Sequence, residues 1–245
     1  MIKGFKKAYY IACKDLKAYY LKPPLISWGL MLPLVFILAF YLRNPQRIAD
    51  VSPGLVGMTM LFSTTSKAAI VISFEKRIDA LDRLLMAPVS LRTILFGKAL
   101  GAAGFGFAMS LVSLLLVVLV FGLSISQPFS LFLSLILSCF AFAFLGILIS
   151  VSVREVFEAM TLSNFFRFPM IFLCGVFFPI TSMPIVLKVI AFFLPLTYSV
   201  DALRQSMLAQ DGLLHRWLDV AILLGFSIFL FEFGVRVFFK RSQEQ

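Results

Sequence analysis

The chain has 245 residues, of which 61% are hydrophobic and 14% charged, with a net charge of +10. Soluble domains are only about 45–50% apolar, so a mean hydropathy of +1.00 excludes that class. Three scattered cysteines (Cys13, Cys139 and Cys174) and a single histidine, His215, exclude a disulfide framework and a histidine-built metal or catalytic centre within one chain. The excess of Lys and Arg would suggest nucleic acid in a soluble protein. Here it fits residues that flank membrane spans and face anionic lipid, and no nucleic-acid partner is expected.

In residues 1–24, Ile2, Phe5, Tyr9, Ala12, Cys13, Leu16 and Tyr20 recur at three- and four-residue steps, with lysines over much of the rest. That pattern predicts an amphipathic helix lying in the membrane interface. Pro23 and Pro24 end it. A membrane-crossing helix needs about 20 mostly apolar residues. Six stretches qualify: 25–42, 53–73, 99–122, 129–151, 160–179 and 218–239. The first is too long for the apolar core of a signal peptide and lacks a small-residue cleavage site after it, so it reads as a retained span. None alternates apolar and polar residues as barrel strands do. The reading is an all-α integral membrane protein of six spans, with residues 1–245 forming one domain.

Orientation follows the basic residues. With the N-terminus inside, segments 1–24 and 74–98 hold eleven: Lys3, Lys6, Lys7, Lys14, Lys17, Lys22, Lys76, Arg77, Arg83, Arg92 and Lys98. The opposite side holds five: Arg43, Arg47, Lys188, Arg204 and Arg216. Both termini are therefore expected in the cytoplasm, in a multi-pass protein of the cell membrane.

In the second span, Lys67 lies beside Ser63, Thr64, Thr65 and Ser66; in the fifth, Arg167 precedes Phe168. Ionisable groups at the centre of a span cost about 2.5–3.5 kcal/mol on insertion scales. Ser63, Thr64, Lys67, Arg167 and Phe168 are candidates for a translocation pathway. Snorkelling to the near surface explains the two cations equally well. Gly97, Gly101, Gly104 and Ala108 place small residues near the start of the third span, as close helix contact requires. In the last span, Glu232 and Arg236 form an i,i+4 pair expected to neutralise itself.

The connection between the second and third spans, FEKRIDALDRLLMAPVSLRTILFGKAL, carries eight of the chain's 34 charged residues. Within 74–88, Ile78, Leu81, Leu84 and Leu85 share one helical face, and Glu75, Lys76, Asp79, Asp82 and Arg83 lie mainly elsewhere. Asp79 and Arg83 are an i,i+4 pair in the favourable order. Pro88 stops this helix, and Ser90 is placed to cap the next. Three acids and three bases between 75 and 83 suit a protein partner better than lipid headgroups. Residues 180–217, broken by Pro184 and Pro195, contain no piece of spanning length. They read as two short external helices that dip into the outer leaflet while covered by protein.

The 74–100 stretch also resembles the segment between the second and third spans of type-2 ABC exporter permeases, through Glu75, Lys76, Arg77, Leu81, Leu84, Leu85, Pro88, Ser90, Gly97 and Lys98. That family often has Glu-Arg-Glu followed by Gly-Thr, where this chain has Glu-Lys-Arg-Ile-Asp. GVFFPITSMP at 175–184 and LPLTYSVDALR at 194–204 resemble the end of the family's fifth span and its external re-entrant helices. The resemblance implies a permease paired with a second copy or homologue. It implies ATP-binding-cassette subunits docked on the cytoplasmic side through the 74–88 segment, from Glu75 to Pro88, and the N-terminal helix. ATP and Mg would then be bound by those partners and no cofactor by this chain, which has no G-x-x-x-x-G-K-[ST] phosphate loop. The implied substrate is a lipophilic drug, antibiotic or lipid-like molecule. A polysaccharide or lipid-linked glycan exporter of the same family is the alternative. An ion-coupled transporter or channel is a further one, without the internal repeat such folds often carry. An intramembrane enzyme lacks a catalytic constellation.

Overall fold

The computed structural model describes residues 2–20, 31, 34–36, 38–40, 42, 48–122, 125–208 and 212–242. Besides the helical residues 31, 34–36, 38–40 and 42, the described residues form nine α-helices and no strand: α1 Ile2–Asp15, α2 Ile48–Arg77, α3 Ala80–Leu85, α4 Leu91–Phe121, α5 Pro128–Ser152, α6 Val156–Leu173, α7 Ile185–Phe192, α8 Pro195–Leu208 and α9 Arg216–Ser242. A π-helical turn, Leu16–Tyr20, continues α1. The expected first span, 25–42, and the prolines before it lie largely outside the described residues.

Helix boundaries follow local chemistry. Ser90 caps α4, its Oγ accepting the Thr93 N–H at 3.3 Å, and Gly122 closes that helix at φ +62°, where a side chain would be strained. Pro128 occupies the first turn of α5, where its missing N–H costs nothing. Glu155 and Glu158 form a reciprocal capping box at the start of α6.

Stretches Ala49–Arg77, Leu91–Val120, Pro128–Ser152 and Arg216–Arg241 are long and apolar enough to cross a membrane, and the bent pair α7–α8 makes a fifth if counted as one span. The expected fifth span, 160–179, becomes α6, which starts earlier and stops at Leu173, with Glu158 and Arg167 interrupting its apolar run. The bend between α7 and α8 is 90°. Pro184 and Pro195, which break the 180–217 run in the sequence, stand at the helix starts. Thr197 Oγ1 and Tyr198 OH donate to the carbonyls of Ala191 and Phe192, at 2.5 and 2.7 Å, satisfying the end of α7 across the corner.

At the centre lies α5, flanked by α2, α4, α8 and α9. Its Phe142 and Leu135 are fully buried. Close approach comes from small residues. A Cβ on Gly146 would stand 2.7 Å from the Thr65 carbonyl oxygen of α2, and one on Gly106 would overlap Thr64 Oγ1. The helices share two ends. Lys7 reaches Pro88, Arg92 reaches Glu232, and Lys76 covers Phe238, so α1, α3 and the C-terminus of α9 gather at one end. At the other end Gln127 N–H bonds to Ser206 O at 3.1 Å.

Candidate functional site

The N-terminal helix docks on α4 through small residues. A Cβ on Gly97 would lie 2.8 Å from the Ala8 carbonyl, and one on Gly101 would lie 3.3 Å from Ala12 Cα. The face turned inward is Ala8, Ile11, Ala12 and Asp15, while Phe5, Tyr9 and Tyr10 stay exposed. Of the expected apolar set, Ala12 and Tyr20 turn inward and Phe5 and Tyr9 outward: short side chains let the backbones meet, and the large aromatics are left for the surroundings.

Where α1, α2 and α4 meet, four charges are interlocked. Lys98 Nζ lies 3.3 Å from Asp15 Oδ2 and also pairs with Glu75 Oε2. Lys14 Nζ contacts Glu75 Oε1 at 2.7 Å and Asp15 Oδ1 at 3.2 Å. The Lys98 side chain is 1% exposed and both carboxylates are fully buried, whereas Lys14 is 45% exposed. Two cations balance two carboxylates, which is what makes burial tolerable. Burial pushes the Asp15 carboxyl above its ordinary range, with Lys98 pulling the other way. Sequence reasoning missed this cluster and placed Glu75 among exposed docking charges. The available signal was Asp15, the sole acid among the first 49 residues.

The 74–88 segment is not one helix. α2 continues to Arg77; Asp79 then adopts φ +54°, and α3 covers only Ala80–Leu85. Aspartate tolerates this left-handed conformation better than most residues. The break rotates the expected apolar face. Leu81 is buried, Leu84 and Leu85 are half-buried, and Ile78 is exposed. Asp82, Arg83, Met86 and Pro88 face outward. Asp79 and Arg83 form no ion pair among the described residues; the Asp79 carbonyl instead accepts the Arg83 N–H at 3.4 Å. Likewise Glu232 pairs with Arg92 at 3.1 Å rather than with Arg236.

The candidate pathway residues lie on two sides of α2. Ser63, Thr64 and Lys67 are buried. The Lys67 ammonium sits 5.2 Å from the Phe105 ring centroid on α4. Arg167, also buried, places its guanidinium 5.3 Å from the Phe62 ring centroid and donates to Asn164 Oδ1 at 3.2 Å. Phe168, half exposed, meets Phe62 edge-on at 6.3 Å. Phe62 of α2 thus holds Arg167 and Phe168, while Lys67 turns toward α4. Both cations rest against aromatic faces, an arrangement that offsets part of the cost of leaving water.

A membrane bundle with a charge-locked amphipathic helix and a short projecting helix matches a known sequence profile, ABC-2 type transporter, over residues 7–208. The chain belongs to the ABC-2 type transporter family. The match runs from α1 through α8 and leaves out α9, although α9 packs on α5 and carries the Glu232 partner of Arg92. Among curated ABC-2 relatives, ABC transporter G family member 20 of Dictyostelium discoideum is 29% identical over 78% of this chain and 27% of its own length. Putative transport permease ycf38 of Cyanophora paradoxa is 26% identical, covering 75% and 68%. Probable multidrug ABC transporter permease YbhS of Escherichia coli (strain K12) is 28% identical, covering 73% and 48%. The aligned part is therefore about a quarter of the first relative and half of the last.

Proposed function

We propose that the chain is the membrane-spanning permease subunit of an ATP-driven exporter, with ATP and Mg bound by a separate ATP-binding-cassette subunit. Two permease copies, or this chain and a homologue, would form the pathway for a lipophilic drug, antibiotic or lipid-like substrate. In this reading α1 lies in the cytoplasmic interface, its exposed Phe5, Tyr9 and Tyr10 against lipid. Helix α3 meets the ATPase, both termini face the cytoplasm of the cell membrane, and α7–α8 is an external re-entrant pair. Residues 25–42 and α6 would complete six spans.

The observation that carries the reading is α3: a short helix at the charged end of the bundle, anchored by buried Leu81 and presenting Asp82 and Arg83 outward. Glu75 serves it indirectly, by fixing the end of α2 behind it. The variant Asp82→Lys with Arg83→Glu reverses the outward pattern at unchanged net charge. It is expected to weaken ATPase binding roughly tenfold, about 1.4 kcal/mol, and to leave the melting temperature unchanged, as measured by co-purification and by substrate-stimulated ATP hydrolysis. Wild-type affinity would remove α3 from the interface.

Lys67→Met and Arg167→Met test the pathway. If the two cations line the route at the subunit interface, both variants should assemble with the ATPase and hydrolyse ATP, yet transport substrate several-fold more slowly or with altered selectivity. Unaltered transport in both would assign these cations to snorkelling.

A further inference from the structure

A cavity of about 700 Å³ lies at the charged end of the bundle, between α3, the α5–α6 connection and the C-terminal turn of α9. That is within the roughly 300–1,000 Å³ range of ligand sites. Four cations line it: Lys76 and Arg77 from the end of α2, Arg154 from the connection, and Arg241 from α9. Two carboxylates oppose them, Asp82 and Glu155. Glu155 is already engaged in the cap of α6, and the nearby Glu158 carboxylate accepts the N–H groups of Arg154 and Glu155 at 3.0 and 3.4 Å. The ion pairs of the described residues join Lys14, Arg92 and Lys98 to carboxylates and use none of the four cavity cations. Lys76 rests its ammonium 5.6 Å from the Phe238 ring centroid. The cavity therefore keeps positive charge that the chain does not neutralise.

The remaining lining is apolar. Val151, Val156 and Phe157 form a wall beside the cations, and Phe157 is 76% exposed. Apolar helices α2, α5 and α9 all end here, so the cavity opens at the depth where lipid headgroups meet acyl chains. Guanidinium groups match phosphate oxygens in paired hydrogen bonds, and basic pockets between spanning helices suit anionic headgroups. We propose that this cavity binds an anionic phospholipid, its phosphate held among Lys76, Arg77, Arg154 and Arg241 and its proximal acyl carbons against Val156 and Phe157. The site requires only that these three helices cross the membrane, and stands whether or not α3 docks an ATPase.

The test uses the full chain, reconstituted in phosphatidylcholine vesicles containing a minor fraction of phosphatidylglycerol. It is then re-extracted in mild detergent, and retained lipid is counted by mass spectrometry. Wild-type protein should retain phosphatidylglycerol enriched about tenfold over its share. Arg154→Gln with Arg241→Gln should return it to the bulk ratio, while Lys240→Gln, outside the cavity, should behave as wild type. If the double variant does not fold, Arg154→Gln alone, at an exposed loop position, carries the comparison. Retention unchanged in the variants, or equal retention of phosphatidylcholine, overturns the proposal. So does lost ATPase co-purification with lipid retention intact, which would give the cations to a protein partner. Inorganic phosphate raising the melting temperature as much as short-chain phosphatidylglycerol would assign the site to free phosphate and overturn it too.

Discussion

Lys98→Met is expected to destabilise the protein by about 3–5 kcal/mol, because removing one member of a buried ion pair leaves its partners charged and uncompensated. Lys98 bridges Asp15 and Glu75, which are both fully buried, and Lys14 stands at the outer edge of the cluster. Loss of the ammonium should free α1 from α2 and α4. The readouts are a lower melting temperature in detergent and new protease cleavage near Leu16. The triple variant Lys98→Met, Asp15→Leu, Glu75→Leu removes the stranded charges and should recover most of the loss, since apolar replacement of a buried network is often neutral. The pH dependence has a definite sign. Asp15 already has a raised carboxyl pKa in the folded protein, so the folded state holds its proton longer than the unfolded chain does. Its contribution to stability therefore declines as pH rises from the unfolded value, about 3.9, through the raised folded value. Losing Lys98 should deepen that decline. A single variant as stable as wild type, at neutral pH, would show that the cluster does not hold α1.

Gly146→Leu is expected to cost about 3 kcal/mol, at the upper end of ordinary overpacking. The clash is with backbone and with an alanine Cβ, neither of which has a rotamer to escape into. The new Cβ would lie 2.6 Å from Ala68 Cβ, 2.7 Å from Thr65 O and 3.2 Å from Ala69 N. Helices α2 and α5 must separate, and with them the surroundings of Lys67, which adjoins Ala68 in α2. Gly225→Ala is the control: nothing lies within 4 Å of its added Cβ, so on helix propensity alone it should be neutral or stabilise by up to about 1 kcal/mol. Equal melting temperatures for Gly146→Leu and wild type would mean that this contact is not tight.

What could be read from the sequence was what depends on neighbours along the chain. The apolar runs marked α2, α4, α5 and α9, because span length is set by bilayer thickness. Ser90 announced the start of α4, and Pro184 and Pro195 announced breaks in the 180–217 run, because caps and prolines act within a turn. Gly97 and Gly101 announced close packing but not its occupant, α1. The charge cluster was hidden because its members come from three helices. Periodicity could place Glu75 on a polar face; it could not say that Lys98 and Asp15 would be waiting there. The extent of α3 was misjudged for a similar reason. The left-handed turn at Asp79 interrupts a pattern that is helical in phase on both sides, so nothing in the spacing reveals it. Lys76 and Arg77 were counted among the basic residues of the expected inner surface, a reading that is silent on their convergence with Arg154 and Arg241.

The helical run from Gly54 to Arg77 carries no proline and ends in the buried charge lock. At 1.5 Å per residue those 24 residues make a rod of about 36 Å. Its far end is fixed closely: a Cβ on Gly54 would sit 2.5 Å from the Val176 carbonyl. A rod clasped at both ends and packed along its length transmits torque rather than absorbing it. By that geometry, a tilt of about 5° around its middle shifts each end by roughly 1.5 Å, comparable to the small helix shifts through which packed interfaces switch. A push on α3, just beyond the Asp79 turn, would therefore be felt at Val176 at the opposite end of the bundle, with Ser63, Thr64 and Lys67 near the fulcrum.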